Sequence, residues 1–182
     1  MLEQNDATLV RQCLEGNLKA FERLVDKYQK TIFNVALRMV NDYAEAEDIA
    51  QVVFVRAYEK LASFDPSYKF FSWLYRLAVN ESLNALKRKR RFAELDDSFV
   101  SGDKTPEEDY EQNEMAQRIE TALMQLEPEH RALIVLKHFH GLGYQEIGYI
   151  FDLPEKTVKS RLFTARQLLK NILLKQGFVA ND

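Results

Sequence analysis

Apolar residues recur along this chain at helical rather than strand spacing. The opening segment can be capped by Asp6, runs to Glu15 and meets a stop at Gly16-Asn17. A longer helix from about Leu18 carries Phe21, Leu24, Val25, Tyr28, Ile32, Val35 and Met39 on one stripe, as the i, i+3, i+4 repeat requires. Asn41-Asp42-Tyr43 interrupts the stripe, and Asp42 or a neighbour can cap a third helix over roughly Ala44 to Leu61. That helix is expected to bury Ile49, Val52, Val53, Ala57 and Leu61, and it places Glu45, Glu47 and Asp48 where the helix dipole favours acids. Turn-forming residues mark Ser63-Phe64-Asp65-Pro66-Ser67 as a loop. A fourth helix, from about Phe71 to Arg90, turns Leu74, Leu77, Ala78 and Leu86 inward and ends in the basic run Lys87-Arg88-Lys89-Arg90-Arg91.

Over residues 92–114 the pattern lapses into Asp, Glu, Ser, Gly and Pro with scattered apolar residues, the composition of a flexible acidic linker. Helical periodicity resumes from Met115 through Ile119, Leu123 and Leu126. Pro128 then opens a helix with Leu133, Ile134 and Leu136, which Gly141-Leu142-Gly143 closes. Tyr144 to Arg166 reads as a helix-turn-helix. Ile147, Ile150 and Phe151 form one inward face, and Val158 and Leu162 form the other. Between them Leu153 can plug the angle of two crossing helices, and Pro154 fits a first turn that needs no backbone donor. There is no internal repeat. The expected fold is all-α, with two small helical domains, residues 1–91 and 115–182, joined by the acidic linker 92–114 and with the helix-turn-helix in the second domain.

Composition supports this picture. Only 6 Gly and 4 Pro occur in 182 residues, as suits a helical protein, and 46% hydrophobic with 29% charged residues marks a soluble globular class. Cys13 stands alone, which excludes a disulfide framework and a cysteine-based metal site and fits a reducing compartment. The start lacks a signal-peptide pattern and no apolar run approaches a membrane span, so the expected location is cytoplasmic, without membrane insertion. The net charge of -3 changes meaning once it is divided. Residues 1–91 hold 15 Lys/Arg against 12 Asp/Glu, residues 92–114 hold 1 against 9, and residues 115–182 hold 9 against 7. Both flanks are therefore mildly basic, and it is these local fields that a phosphate backbone would meet.

Two constellations could use such fields. From the second helix of the helix-turn-helix, Lys156, Lys159, Ser160, Arg161 and Thr164 point outward, short or cationic groups suited to base edges and phosphates. A merely solvated cationic face is the plainer alternative for that helix alone. Earlier in the chain, Phe64, Tyr68, Phe70, Phe71, Trp73, Tyr75, Arg76 and Asn80 precede the basic run that includes Lys87, Arg88 and Arg90. Aromatic faces stack on unpaired bases and a cationic helix end follows a backbone, so this group suits melted DNA better than intact duplex. For Trp73 by itself, burial in the core is the favoured reading. His130, His138 and His140 do not make a metal set, because His138 and His140 lie two apart on a helix and no Cys completes a site. With no glycine-rich phosphate loop and no nucleophile beside a base, neither catalysis nor a cofactor is expected.

The segment Tyr43-Ala-Glu-Ala-Glu-Asp-Ile-Ala-Gln-Val-Val-Phe-Val-Arg-Ala-Tyr58, followed by Phe70-Phe-Ser-Trp-Leu-Tyr-Arg-Leu-Ala-Val-Asn80, resembles the second conserved region of bacterial sigma factors. Leu123 to Leu169, including Leu126-Glu-Pro-Glu-His-Arg131, resembles the fourth, and the two regions alone give the layout of the extracytoplasmic-function (ECF) group. The resemblance implies that Asp48, Gln51, Phe54 and Arg56 dock on the clamp helices of core RNA polymerase. It implies that the Phe64–Phe71 loop with Arg76, Asn80 and Asn84 captures melted bases of a minus-ten promoter element, and that Lys159, Ser160, Phe163 and Thr164 meet a minus-thirty-five element. Two binding surfaces, a loose linker and no regulatory domain lead to the further expectation of an anti-sigma factor that covers the polymerase- or DNA-binding faces. Four positions depart from the family pattern: Val52 replaces a common acid, Asp152 a turn glycine, Thr164 a common Arg that could reach guanine, and Gly148 a common Ala. The competing expectation is a helix-turn-helix regulator that binds duplex DNA without polymerase.

Overall fold

A computed structural model of the chain describes residues 5–95 and 114–178, all of them helix, turn or short connection with no strand among them. The elements are α1 (Asp6–Leu14), α2 (Leu18–Val40), α3 (Tyr43–Glu59), a 3-10 turn (Leu61–Ser63), α4 (Phe70–Leu95), α5 (Glu114–Met124), α6 (Pro128–Ile134), a π turn (Val135–Phe139), α7 (Tyr144–Phe151) and α8 (Glu155–Lys175). Most of the acidic segment expected to be a linker, residues 96–113, lies outside the described residues.

In the N-terminal half, α2, α3 and α4 pack against one another and α1 lies along α2. Leu24, Ile32, Val35 and Met39 of α2, Val53 and Ala57 of α3, and Leu74 and Ala78 of α4 are all inaccessible, as their periodicity predicts. Chain direction changes where the sequence permits it. Asn41 adopts φ 53°, a left-handed conformation that Asn tolerates, and the Asp42 carboxylate accepts from the Glu45 amide at 3.0 Å to cap α3. Three local expectations are corrected. The cap of α1 is Asn5, whose side chain accepts from the Ala7 amide, while Asp6 is helical and receives bonds from Lys27 and Tyr28. Val52 is 40% exposed, because Ile49, Val53 and Ala57 fix the inward stripe four residues apart and leave position 52 on its outer side. Helix α4 also continues past the basic run to Leu95.

In the C-terminal half, α6 and α7 pack on α8 and α5 lies beside it. Pro128 stands at the start of α6, where its missing donor costs nothing. Gly143 caps α7, its amide donating to the Glu146 carboxylate at 2.8 Å. Asp152 takes the left-handed conformation at φ 56° and turns the chain into α8, whose cap is Pro154 rather than a first-turn proline. The two halves are in contact. Helix α7 packs on α4, α6 touches α2 and α4, and buried apolar residues of both halves form one continuous cluster.

Candidate nucleic-acid interface

The loop after α3 is shaped by Asp65, whose carboxylate accepts from the Ser67 amide at 2.9 Å and whose carbonyl accepts from the Tyr68 amide at 3.1 Å. The bonds from Ser67 hold the Asp65 carboxyl below its ordinary pKa. This compact turn throws Tyr68 outward, 47% exposed, and turns Phe70 inward. Phe64, Phe70 and Trp73 pack as a triangle with ring centroids 5.4 to 5.7 Å apart. Phe70 and Trp73 are buried, so their rings wall the loop from behind and offer no free face to a base, the core role favoured for Trp73. Phe71 is half-buried against Tyr75. Along α4 one face then presents half-buried Arg76, exposed Asn80 and Asn84, and the exposed cations Lys87, Arg88 and Arg90.

The outer face of α3 carries Asp48, Gln51, Val52 and Val55, all exposed, with Phe54 half-buried at its edge. Arg56 turns the other way. Its guanidinium pairs with Glu81 of α4, an acid whose side chain is only 7% exposed, so Arg56 ties α3 to α4 and keeps a buried carboxylate paired. Sequence reasoning passed over Glu81, although a signal was present: it lies on the Leu74, Ala78, Ala85 stripe, where a charge requires a partner.

In α8 the residues Lys156, Lys159, Ser160, Arg161, Phe163 and Thr164 are all exposed, and Phe163 keeps 61% of its surface. Lys159 is held by Glu155 at 2.6 Å and lies 5.2 Å from the Tyr144 ring centroid. The Thr164 hydroxyl donates back to the Ser160 carbonyl at 3.3 Å. Gly148 in α7 fixes the crossing angle. A Cβ there would lie 2.6 Å from the Leu153 carbonyl oxygen, so the glycine is needed for close backbone approach and is more than a small-residue variant.

Where the halves meet, α7 rests on the loop and on α4. Lys69 donates to Glu146 at 2.8 Å, the Tyr68 and Tyr149 rings stack at 4.1 Å and 23°, and Arg76 donates to the Tyr149 carbonyl at 3.2 Å with its guanidinium 5.4 Å from that ring. Burial raises the Glu146 pKa, but the Lys69 and Gly143 bonds outweigh it and leave the carboxyl below its ordinary value. The π turn adds a second contact. It sets Phe139 under Arg38, 4.4 Å from the ring centroid, and His140 against the Tyr75 hydroxyl at 3.0 Å. Burial, then nearby Arg38, drops the His140 pKa to about 4, and burial, then Glu146, lifts Tyr75 to about 12.

A third contact is buried. Arg131 donates to the carbonyls of Leu123, Met124 and Leu126 at the end of α5, and to that of Met39 near the end of α2. One cation thus satisfies carbonyls at the negative ends of two helices. Its signal in the sequence was a charge at the head of the apolar run Ala132–Leu136. His138 accepts from Arg166 at 3.1 Å, apart from His140, and among the described residues no group of three His, Cys, Asp or Glu could hold a metal.

Comparison with known proteins matches the model of Sigma-70 region 2 over residues 24–92 and that of Sigma-70, region 4 over residues 116–169. The RNA polymerase sigma-H factor of Pseudomonas aeruginosa is 32% identical, the match covering 95% of this chain and 96% of that protein. The ECF RNA polymerase sigma factor SigW of Bacillus subtilis is 34% identical, over 90% of this chain and 94% of its own. Among solved structures, CnrH in complex with the cytosolic domain of CnrY superposes with a TM-score of 0.71 at 28% identity, covering 92% of this chain and 96% of that one. The sigma factor RpoE of Bartonella quintana, in complex with the anti-sigma factor NepR, shares the fold at 22% identity and a TM-score of 0.73, over 85% of this chain and 97% of its own.

Proposed function

Because this chain belongs to the ECF group of RNA polymerase sigma factors, we propose that its two domains divide the reading of a promoter between them. The protein binds core RNA polymerase and directs promoter-specific transcription initiation. Within that activity the domains are residues 1–91 and 115–182, and α3 docks on polymerase through Asp48, Gln51 and Phe54, with Arg56 holding α3 against α4. Tyr68 and Phe71, Arg76, Asn80 and Asn84, and the cations Lys87, Arg88 and Arg90 hold the melted minus-ten strand in front of the wall made by Phe64, Phe70 and Trp73. Lys156, Lys159, Ser160, Arg161, Phe163 and Thr164 of α8 read the minus-thirty-five duplex in the major groove. Each domain binds weakly alone, and tethering both to one polymerase makes the second contact intramolecular. The protein performs no chemistry of its own and works in the cytoplasm. Among its described residues no helix is long and apolar enough to cross a membrane.

The observation that carries this reading is the pairing of two such surfaces on one chain, an aromatic loop beside an Asn-and-cation helix face and an exposed cationic helix face on α8. Run-off transcription with purified core polymerase tests it. Promoter-dependent transcripts that vanish in Asn80→Ala and in Lys159→Ala support the assignment, since both side chains are exposed and neither change should unfold the chain. Absence of polymerase binding overturns it. A protein partner that holds the free chain, of the anti-sigma type, completes the proposal, and the likeness to CnrH bound by the cytosolic domain of CnrY supports it. Recovery of polymerase alone in pull-downs from unstressed cells would count against such a partner.

A further inference from the structure

Helix α7 brings three kinds of group to the loop of the other half. The Glu146 carboxylate sits on the Lys69 ammonium at 2.8 Å, as a phosphate oxygen would. The Tyr149 ring lies nearly parallel to Tyr68 at 4.1 Å, as a stacked base would. The Tyr149 carbonyl, in the last turn of α7 and so at the negative end of that helix, accepts from Arg76 at 3.2 Å, as a base-edge carbonyl would. All three come from residues one helical turn apart, and all three partners lie on the surface assigned above to melted DNA. From this juxtaposition we infer that α7 is a nucleotide mimic that occupies the strand-reading surface of the N-terminal half, so that single-stranded DNA and α7 compete for Lys69, Tyr68 and Arg76. The inference rests on the assignment of that surface to single-stranded DNA.

Occupancy is partial. Asn80 and Asn84 remain exposed, and so does the recognition face of α8. A strand can therefore reach part of its path while α7 still holds the rest, which is the arrangement of a competitor. The side chains of the mimic also have no other assigned task in promoter contact, so they can be changed without touching either reading surface.

The test is the affinity of the full chain for a fluorescein-labelled, mixed-sequence single-stranded DNA 12-mer, read by anisotropy in the absence of polymerase. Interdomain energy transfer is read in parallel from dyes on Lys19→Cys and Gln167→Cys, both at exposed positions. Tyr149→Ala removes the stacked ring and should tighten binding about tenfold while lowering energy transfer. Glu146→Gln keeps the cap on Gly143, which a glutamine can also provide, but loses the charge on Lys69. It should tighten binding about threefold, with an effect that fades as salt rises. Tyr149→Phe keeps ring and backbone and loses only the hydroxyl, which also bonds Arg76, so its affinity should lie much closer to the parent chain than to Tyr149→Ala. Unchanged affinity in Tyr149→Ala and Glu146→Gln, or no binding by any form, overturns the mimicry, as does a parent chain whose energy transfer already reports separated halves. Promoter-directed run-off by the parent chain is scored separately. If it persists while the affinities do not move, only the mimicry falls; if it is absent, the functional reading itself falls.

Discussion

The N-terminal and C-terminal halves each carry a surface proposed above to face DNA, yet they expose it to different degrees. The recognition face of α8 is open along Lys156, Ser160, Arg161, Phe163 and Thr164, and a short helix turn and a tight glycine contact hold it in place. The loop and α4 of the N-terminal half carry Tyr68, Lys69 and Arg76 in contact with α7. A duplex reader needs only a rigid helix at the right angle, and backbone packing supplies that. A reader of unstacked bases must keep aromatic and cationic groups available, and such groups also suit an internal partner. The outer face of α3 is free in the same conformation, through Asp48, Gln51, Val52 and Val55. On the proposed docking through α3, the polymerase-facing residues are accessible while α7 still covers the loop.

The sharpest way to break this comparison is to remove the buried cation that joins the halves. Arg131→Leu leaves four carbonyls without their donor, three in its own half and one in the other. Each buried acceptor left without a donor costs about 1–3 kcal/mol, so the loss over four carbonyls should exceed that of any single contact, read by urea unfolding. Energy transfer between the halves should fall as well. Stability lost without any fall in energy transfer would confine Arg131 to its own domain. The next effect is local to the C-terminal half. Gly148→Ala regains up to about 1 kcal/mol of helix propensity but drives a Cβ to 2.6 Å from the Leu153 carbonyl oxygen. Because that neighbour is backbone, the net loss should be about 1–3 kcal/mol, with duplex binding reduced and single-strand binding unchanged.

The elements and their inward faces were legible from spacing, since Leu24, Val35, Val53, Leu74, Ile147, Val158 and Leu162 all lie where a 3.6-residue repeat puts them. The exposed face of α8 followed from the same arithmetic. Val52 escaped it because a residue one step off a stripe is ambiguous until the neighbouring helix is placed. The contacts of Lys69, Tyr149 and His140 escaped for another reason: their partners lie at least 65 residues away, and no local pattern encodes which face of one half meets the other. Phe70 and Trp73 show the limit from the opposite side. Their residue types suit base stacking, but only their burial reveals that they line the wall behind the loop.

Arg56→Ala sharpens the contrast with Arg131, because this ion pair lies wholly within one half. Glu81 would be left buried without its guanidinium. Since Arg56 is itself 42% exposed, water can enter, and the loss should be about 1–2 kcal/mol rather than the full cost of a buried pair. Unfolding by urea should register it, whereas interdomain energy transfer should stay at the parent value. A fall in energy transfer would mean that the α3–α4 angle also sets the position of α7.

The last effect is on pH, and it acts on the joint alone. His140 packs between Tyr75 of α4 and Arg38 of α2, and its pKa there is about 4 against an ordinary 6.5. Opening the halves returns the imidazole to water. Because the closed-state pKa is the lower one, the open form binds more protons between those values, and closure is fully favoured only above about 6.5. As pH falls toward 4, the ratio of closed to open form should decline by up to about tenfold per unit. The Glu146 carboxyl is also held below its ordinary value, so its bond to Lys69 weakens in the same direction but only below about 4.5, after His140 has acted. Energy transfer measured from pH 7.5 to 5 should therefore fall, and His140→Phe should flatten the upper part of the curve. A parent profile that stays level over this range would remove His140 from the joint and leave the α7 contacts to hold the halves together.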